Sequence, residues 1–209
     1  MKPIQGLCVV KVGGSVVKSH NLSLWLGVIK GSTLPVVIVP GGGIYADEVR
    51  DAQKREGFSD HVAHEKALMA MDRMAIDIAT TDTIFKVVTA EPDIHQYLGV
   101  SQIPIWGPYE MCASCKAIPA NWSVTSDSLA LWLANKLGAE NLFLIKSAGP
   151  PGEPHTAEGL SKEGFVDLAF PEFLRHSSVS SYIAGPNDQG NLASVLAGKT
   201  CKFPAIGLA

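Results

Sequence analysis

The chain has 209 residues, enough for one α/β domain with a full core and short for two, so a single domain over 1–209 is expected. Apolar residues make up 46% and charged residues 18%, with a mean hydropathy of +0.17, as for a compact protein whose sheet is covered on both faces. A net charge of −3 excludes bulk attraction to nucleic acid or an anionic membrane.

No apolar run approaches the ~18 residues of a membrane span, and a strand starts too early for a signal segment, so a cytoplasmic protein is expected. Any anion must then be held by local devices.

Leu7-Cys8-Val9-Val10 reads as a strand buried on both faces, and it runs directly into Lys11-Val12-Gly13-Gly14-Ser15. A helix is predicted over 21–30, closed by Gly31. A second buried strand, Val36-Val37-Ile38-Val39, ends in Pro40-Gly41-Gly42-Gly43, and a helix with one solvated face follows over 45–56. Glycine at these handovers lets the backbone turn tightly and brings bare N–H groups to anionic oxygens, so two turns suggest two phosphate clamps.

The spacing of Ala67, Leu68, Met71, Met74, Ala75 and Ile78 predicts a helix over 64–78. The charged residues around it read as helix entry and solvated face, with His64 the exception worth testing. Phe85–Val88 is a strand, 93–98 a helix, and Ile103–Trp106 a short strand whose Pro104 limits it to an edge or terminus. A loop is expected over 107–119, then a helix over about 129–137 ending at Gly138, and a strand over 142–145 leading into Lys146-Ser147. The stretch 149–159 holds three Pro and three Gly and is predicted as an exposed loop. A short helix over 167–176, a strand over 182–184 with a third glycine turn, and a helix over 191–196 complete the chain. This alternation argues an α/β fold, a three-layer αβα sandwich with a mainly parallel central sheet. Cys8 and Cys201 read as reduced core residues; Cys112-x-x-Cys115 lacks a second pair or a nearby His and reads as structural, so no metal site is expected.

Neither a Gly-x-x-x-x-Gly-Lys-Ser/Thr loop nor a Gly-x-Gly-x-x-Gly turn is present. Instead Lys11 precedes its glycines and can reach back over Gly13-Gly14, and Lys146 also ends an apolar strand. In a parallel sheet both arrive at the carboxyl edge, where open α/β folds bind ligands. Asp127 stands in the first turn of a helix, either as a cap or dipole partner or as a carboxylate that orients both lysines; Thr125 or Ser126 could supply the cap.

In that order, Lys11–Ser15, Val37–Gly43, Thr125-Ser126-Asp127 and the strand ending at Lys146 resemble the amino acid kinase family over nearly the whole chain. Ala63-His64 before Met71-Asp72, and the run Pro119–Ser128, are most similar to its aminomethylfuran phosphate kinase branch, which serves methanofuran-type cofactor synthesis. The resemblance implies an ATP-dependent kinase with Mg2+ bridging the nucleotide oxygens, acting on a small phosphorylated substrate in a homo-oligomer. The acceptor it implies is (5-(aminomethyl)furan-3-yl)methyl phosphate, converted to its diphosphate.

On the family pattern Lys11 and Lys146 neutralise the transferring phosphoryl and Asp127 orients them. Gly13 and Gly14 hold the transferring group and Gly41 and Gly42 the acceptor side, with Ser15 and Gly43 as further phosphate-binding candidates. Ser126, His64 and Trp122 are substrate-binding candidates: His64 contacts the acceptor phosphate or is a satisfied helix histidine, and Trp122 stacks on the furan or packs as core. Asp60 and Asp72 are candidate partners for the aminomethyl group. The chain departs from many relatives after Lys146, where Ser147-Ala148-Gly149 replaces a Val-Asp-Gly element that shapes the nucleotide pocket. A uridylate kinase and an ATP-binding molybdate or tungstate storage protein are the alternatives within the resemblance.

Overall fold

The computed structural model describes residues 4–17, 21–150, 152 and 155–208. Six strands, β1 (Cys8–Val12), β2 (Val36–Pro40), β3 (Phe85–Val88), β4 (Ile103–Trp106), β5 (Asn141–Ile145) and β6 (Ser180–Ala184), form one sheet in the order β3-β4-β2-β1-β5-β6. Every neighbouring pair in it is parallel, as the sequence predicts.

The helices are α1 (Gly14–Val17), α2 (Leu22–Lys30), α3 (Gly43–Glu56), α4 (Asp60–Ala79), α5 (Glu91–Gly99), α6 (Tyr109–Cys112), α7 (Ser126–Leu137), α8 (Ala157–Lys162), α9 (Phe170–Arg175) and α10 (Gln189–Leu196). Strand alternation divides the core between the two sheet faces. Leu7 and Val9 join Leu129, Leu133 and Leu137 of α7 on one face, while Cys8, Val10 and Val12 join Trp25, Ile29 and Leu192 on the other. The result is the three-layer αβα sandwich.

Four local expectations are corrected. The strand carrying Pro104 is not at an edge: β4 lies between β3 and β2, with four paired positions to β3 and the single register pair Ile38–Ile105 to β2. A proline near the start of β4 is compatible with an interior place because its missing N–H falls where that ladder is shortest. The loop over 107–119 contains α6, and the helix expected to begin at 64 begins at Asp60, after Ser59, whose Oγ accepts from Val62 N at 3.4 Å.

The stretch 149–159 is not exposed throughout, although residues 151, 153 and 154 lie outside the described residues. Ala157 is buried and opens α8, and the chain end ties this segment down through Ala157 N to Gly207 O and Gly207 N to His155 O, each 2.9 Å. That pairing joins distant parts of the chain, so no local pattern announces it.

Candidate active site

Parity along β1 and β5 aims both sequence-predicted lysines at one face. Lys11 follows Leu7 and Val9, and Lys146 follows Leu142 and Leu144, all on the α7 side of the sheet. There α7 presents Asp127. Lys11 Nζ lies 2.8 Å from Asp127 Oδ1, and Lys146 Nζ lies 2.9 and 2.8 Å from Oδ1 and Oδ2. Asp127 is 5% exposed and Lys11 4% exposed, whereas Lys146 is only half-buried and opens the group toward solvent.

Burial alone would raise the Asp127 pKa, but the two ammonium groups outweigh it and hold the carboxyl down at about 2. The Lys146 ammonium is pushed down, first by burial and then by Lys11, with Asp127 offsetting only part of this. Two lysines held by one carboxylate are fixed in rotamer, with their amino groups side by side.

Whether Asp127 caps its helix or holds the lysines is decided by a residue that the sequence reading passed over. Asp167, in the turn before α9, receives Thr125 N at 2.8 Å, Thr125 Oγ1 at 2.9 Å and Ser128 N at 3.0 Å on Oδ2, and Ser128 Oγ on Oδ1. Thr125, the N-cap residue, makes no side-chain cap bond of its own. The α7 N-terminus is therefore capped from a distance, and the Asp127 carboxylate is left to the lysines. Asp167 is raised in pKa by burial and then by the Asp127 charge.

The two glycine turns touch. A Cβ on Gly14 would stand 2.7 Å from Gly43 N, and one on Gly41 would stand 2.6 Å from Gly14 N, so only glycine permits this approach. Gly43 has φ +53, and a Cβ there would meet Met74 Cε at 2.6 Å. Gly13 N donates to Ile145 O at 3.1 Å and Gly41 N to Val12 O at 2.8 Å, extending the sheet ladders. Those two N–H groups are thus engaged, whereas the N–H groups of Gly14, Ser15, Gly42 and Gly43 make no such bond among the described residues. Ser15 Oγ donates to Ser147 Oγ at 2.9 Å, joining the first turn to the segment where the acidic residue is missing.

Beside the turns lies a cavity of about 270 Å³. Gly14, Ser15 and Gly41–Gly43 line one part of it, and His64, Trp122 and Ser126 also line it, so the predicted substrate-binding residues are brought together there. Lys11, Asp127 and Lys146 adjoin this space through the glycines and α7 and do not line it. Asp60 receives Gln53 Nε2 at 2.8 Å, Asp72 receives Tyr109 N at 3.2 Å, and neither lines the cavity.

Asp47 and Arg50 of α3 do line it, and the sequence reading counted them as a solvated face. The Arg50 guanidinium lies 4.5 Å from the centroid of the Trp122 ring, and Trp122 Nε1 donates to Gln53 Oε1 at 2.6 Å, so the indole is locked in place at the cavity wall. Among the described residues no group of three or more His, Cys, Asp or Glu is placed to hold a metal ion. No helix among the described residues is long and apolar enough to cross a membrane.

A model of the amino acid kinase family matches residues 6–149. The chain is 25% identical over 205 residues to [5-(aminomethyl)furan-3-yl]methyl phosphate kinase of Methanocaldococcus jannaschii, covering 91% of this chain and 93% of that one. Among solved structures, uridylate kinase from Archaeoglobus fulgidus superposes with a TM-score of 0.68 at 15% identity, covering 97% of this chain and 99% of that one. UMP kinase from Bacillus anthracis gives a TM-score of 0.67 at 12% identity, covering 99% and 96%. At these identities the two structures speak for the fold.

Proposed function

We propose that this chain, which belongs to the amino acid kinase family, transfers the γ-phosphoryl group of ATP to the phosphate of (5-(aminomethyl)furan-3-yl)methyl phosphate, giving the diphosphate and ADP. The observation that carries the reading is the Lys11–Asp127–Lys146 triad beside two glycine turns in backbone contact. The similarity to the aminomethylfuran phosphate kinase supports the choice of acceptor.

An oxygen of the acceptor phosphate attacks the γ-phosphorus as the bond to the β-phosphate bridging oxygen breaks. The acceptor is already an anion at neutral pH, so no general base is needed. Phosphoryl transfer spreads charge over the γ-oxygens, and catalysis is then mostly positioning and electrostatics. Lys11 and Lys146 take up that charge, Asp127 fixes their ammonium groups, and the N–H groups of Gly14 and Ser15 hold the donor side. Gly42 and Gly43 hold the acceptor phosphate, and Trp122 borders the furan.

Mg2+ would supply charge neutralisation of the phosphates when bound; among the described residues no group of three or more His, Cys, Asp or Glu gathers to hold it, and no step is assigned to it. A single domain acting in the cytoplasm, as a homo-oligomer, completes the reading.

The test is ATP consumption with the furan phosphate, with UMP and with molybdate. Diphosphate from the furan compound alone is expected, whereas turnover of UMP alone would replace this acceptor. Lys11→Ala and Lys146→Ala should each lose about 10²–10³-fold in kcat while keeping the circular dichroism of the native chain. Retained turnover in both variants would overturn the triad's role.

A further inference from the structure

His64 is 4% exposed, and its Nε2 is a buried polar atom with no hydrogen-bond partner among the described residues. Leaving such an atom unpaired is unfavourable, and a bound ligand can remove that cost. The ring lines the cavity of the proposed acceptor. Its position along α4 matters as much as its burial: Met74 packs its Cε against Gly43, and His64 stands ten residues earlier on the same helix. At 1.5 Å per residue that is about 15 Å from the level of the glycine turns. An acceptor whose phosphate rests on Gly42 and Gly43 therefore meets His64 with its opposite end.

The charge state decides what that end must be. Burial lowers the His64 pKa, against a hydrogen bond to the Asn121 carbonyl that favours the charged ring. A neutral ring with its proton on Nδ1, toward that carbonyl, presents Nε2 as a lone pair rather than a donor. The groups around the ring are His61 and Glu65 on α4, Asp47 and Arg50 of α3 across the cavity, and Asn121 and Trp122 from the segment before α7. Asp47, ion-paired with Arg50 at 3.2 Å, is the acid among the described cavity-lining residues.

We propose that His64 is a specificity residue whose Nε2 accepts a hydrogen bond from a protonated amine or hydroxyl at the end of the acceptor remote from its phosphate. Nε2 has almost no accessible surface in the free protein, so the contact needs a small turn of the ring or its neighbours as the acceptor seats. A phosphate oxygen, having no proton to give, cannot fill this place. The proposal rests on the furan phosphate reading for its natural ligand, and the test separates the two.

The experiment combines ¹⁵N-histidine NMR of the full chain with kinetics on two acceptors, the aminomethylfuran phosphate and its 5-methyl analogue, which keeps furan and phosphate but lacks the amine. The free protein at neutral pH should show His64 as the Nδ1–H tautomer. The Nε2 signal should move into the hydrogen-bonded range with the amine compound and stay in place with the methyl analogue or inorganic phosphate.

The native chain should prefer the amine compound by about tenfold or more in kcat/KM, as expected for one hydrogen bond to a charged group. His64→Leu should abolish that preference through the KM of the amine compound alone, and His64→Gln, which keeps an acceptor oxygen, should restore part of it. An imidazolium or an Nε2–H tautomer in the free protein overturns the proposal. So does an unchanged preference in His64→Leu, or an equal loss on both compounds, which marks a packing role. If only UMP is turned over, the furan reading falls, and titrating the His64 signal with UMP, whose ring N–H and ribose hydroxyls are donors, decides the histidine: movement supports the proposal and no movement overturns it.

Discussion

Asp127 is buried between two cations, and its pKa makes a stability statement. Its carboxyl falls from an ordinary 3.8 to about 2 in the folded chain. A depressed acid contributes stability that is fully present above the unfolded value and lost as pH falls through the folded one, so the window runs from about pH 4 down to about pH 2. The contribution is about 2 kcal/mol. Urea midpoints across that window should fall more steeply for the native chain than for Asp127→Asn, and equal slopes would show that the carboxylate is not held by the lysines. At neutral pH the same variant should lose about 10²-fold in kcat, because both ammonium groups lose the anchor that aims them.

Lys11, Asp127 and Lys146 were legible in sequence because strand ends and helix entries fix direction. Arg50 and Asp167 were not. A charge on an amphipathic helix and an acid before a short helix look the same whether they face water or a partner far along the chain.

Capping by a distant residue makes α7 depend on the turn that carries Asp167. Asp167→Ala removes the acceptor for Thr125 N and Ser128 N together, and the loss should be about 1–2 kcal/mol by urea denaturation. Since Asp127 sits in the same helical turn, kcat should fall as well, and a variant that loses stability but keeps full kcat would show that Asp127 is aimed independently of the cap.

At the glycine turns the argument is steric. Gly14→Ala places a methyl 2.7 Å from Gly43 N, a backbone atom that cannot swing aside. Overpacking of this kind should cost about 1–3 kcal/mol and spread the two turns, seen as a lowered urea midpoint with weaker ATP and acceptor binding. Element type was readable from hydrophobic period and glycine punctuation. What escaped was set by tertiary partners: the interior place of Pro104, and the chain end pairing beside α8.

At the scale of the whole molecule, order β2-β1-β5 brings the ends of three strands abreast, and the register pairs Val12 with both Pro40 and Ile145. Chain direction changes sides around β1, so Lys11 and Lys146 flank the switch point of the sheet, where α/β folds bind ligands. The two sheet faces have separate apolar clusters, but they share every strand. One cooperative unfolding transition is therefore expected, with fluorescence and far-ultraviolet dichroism coincident in urea; separated transitions would divide the proposed single domain.

The hydroxyl bridge from Ser15 to Ser147 joins residues 132 positions apart in the chain. In refolding, the β1–β5 pairing beneath it needs the closure of a very long loop and belongs to the late, slow events of assembly. Catalytic power is therefore a reporter of the last strands to meet: a refolding chain would regain its helical signal first and its kinase activity only when that pairing closes.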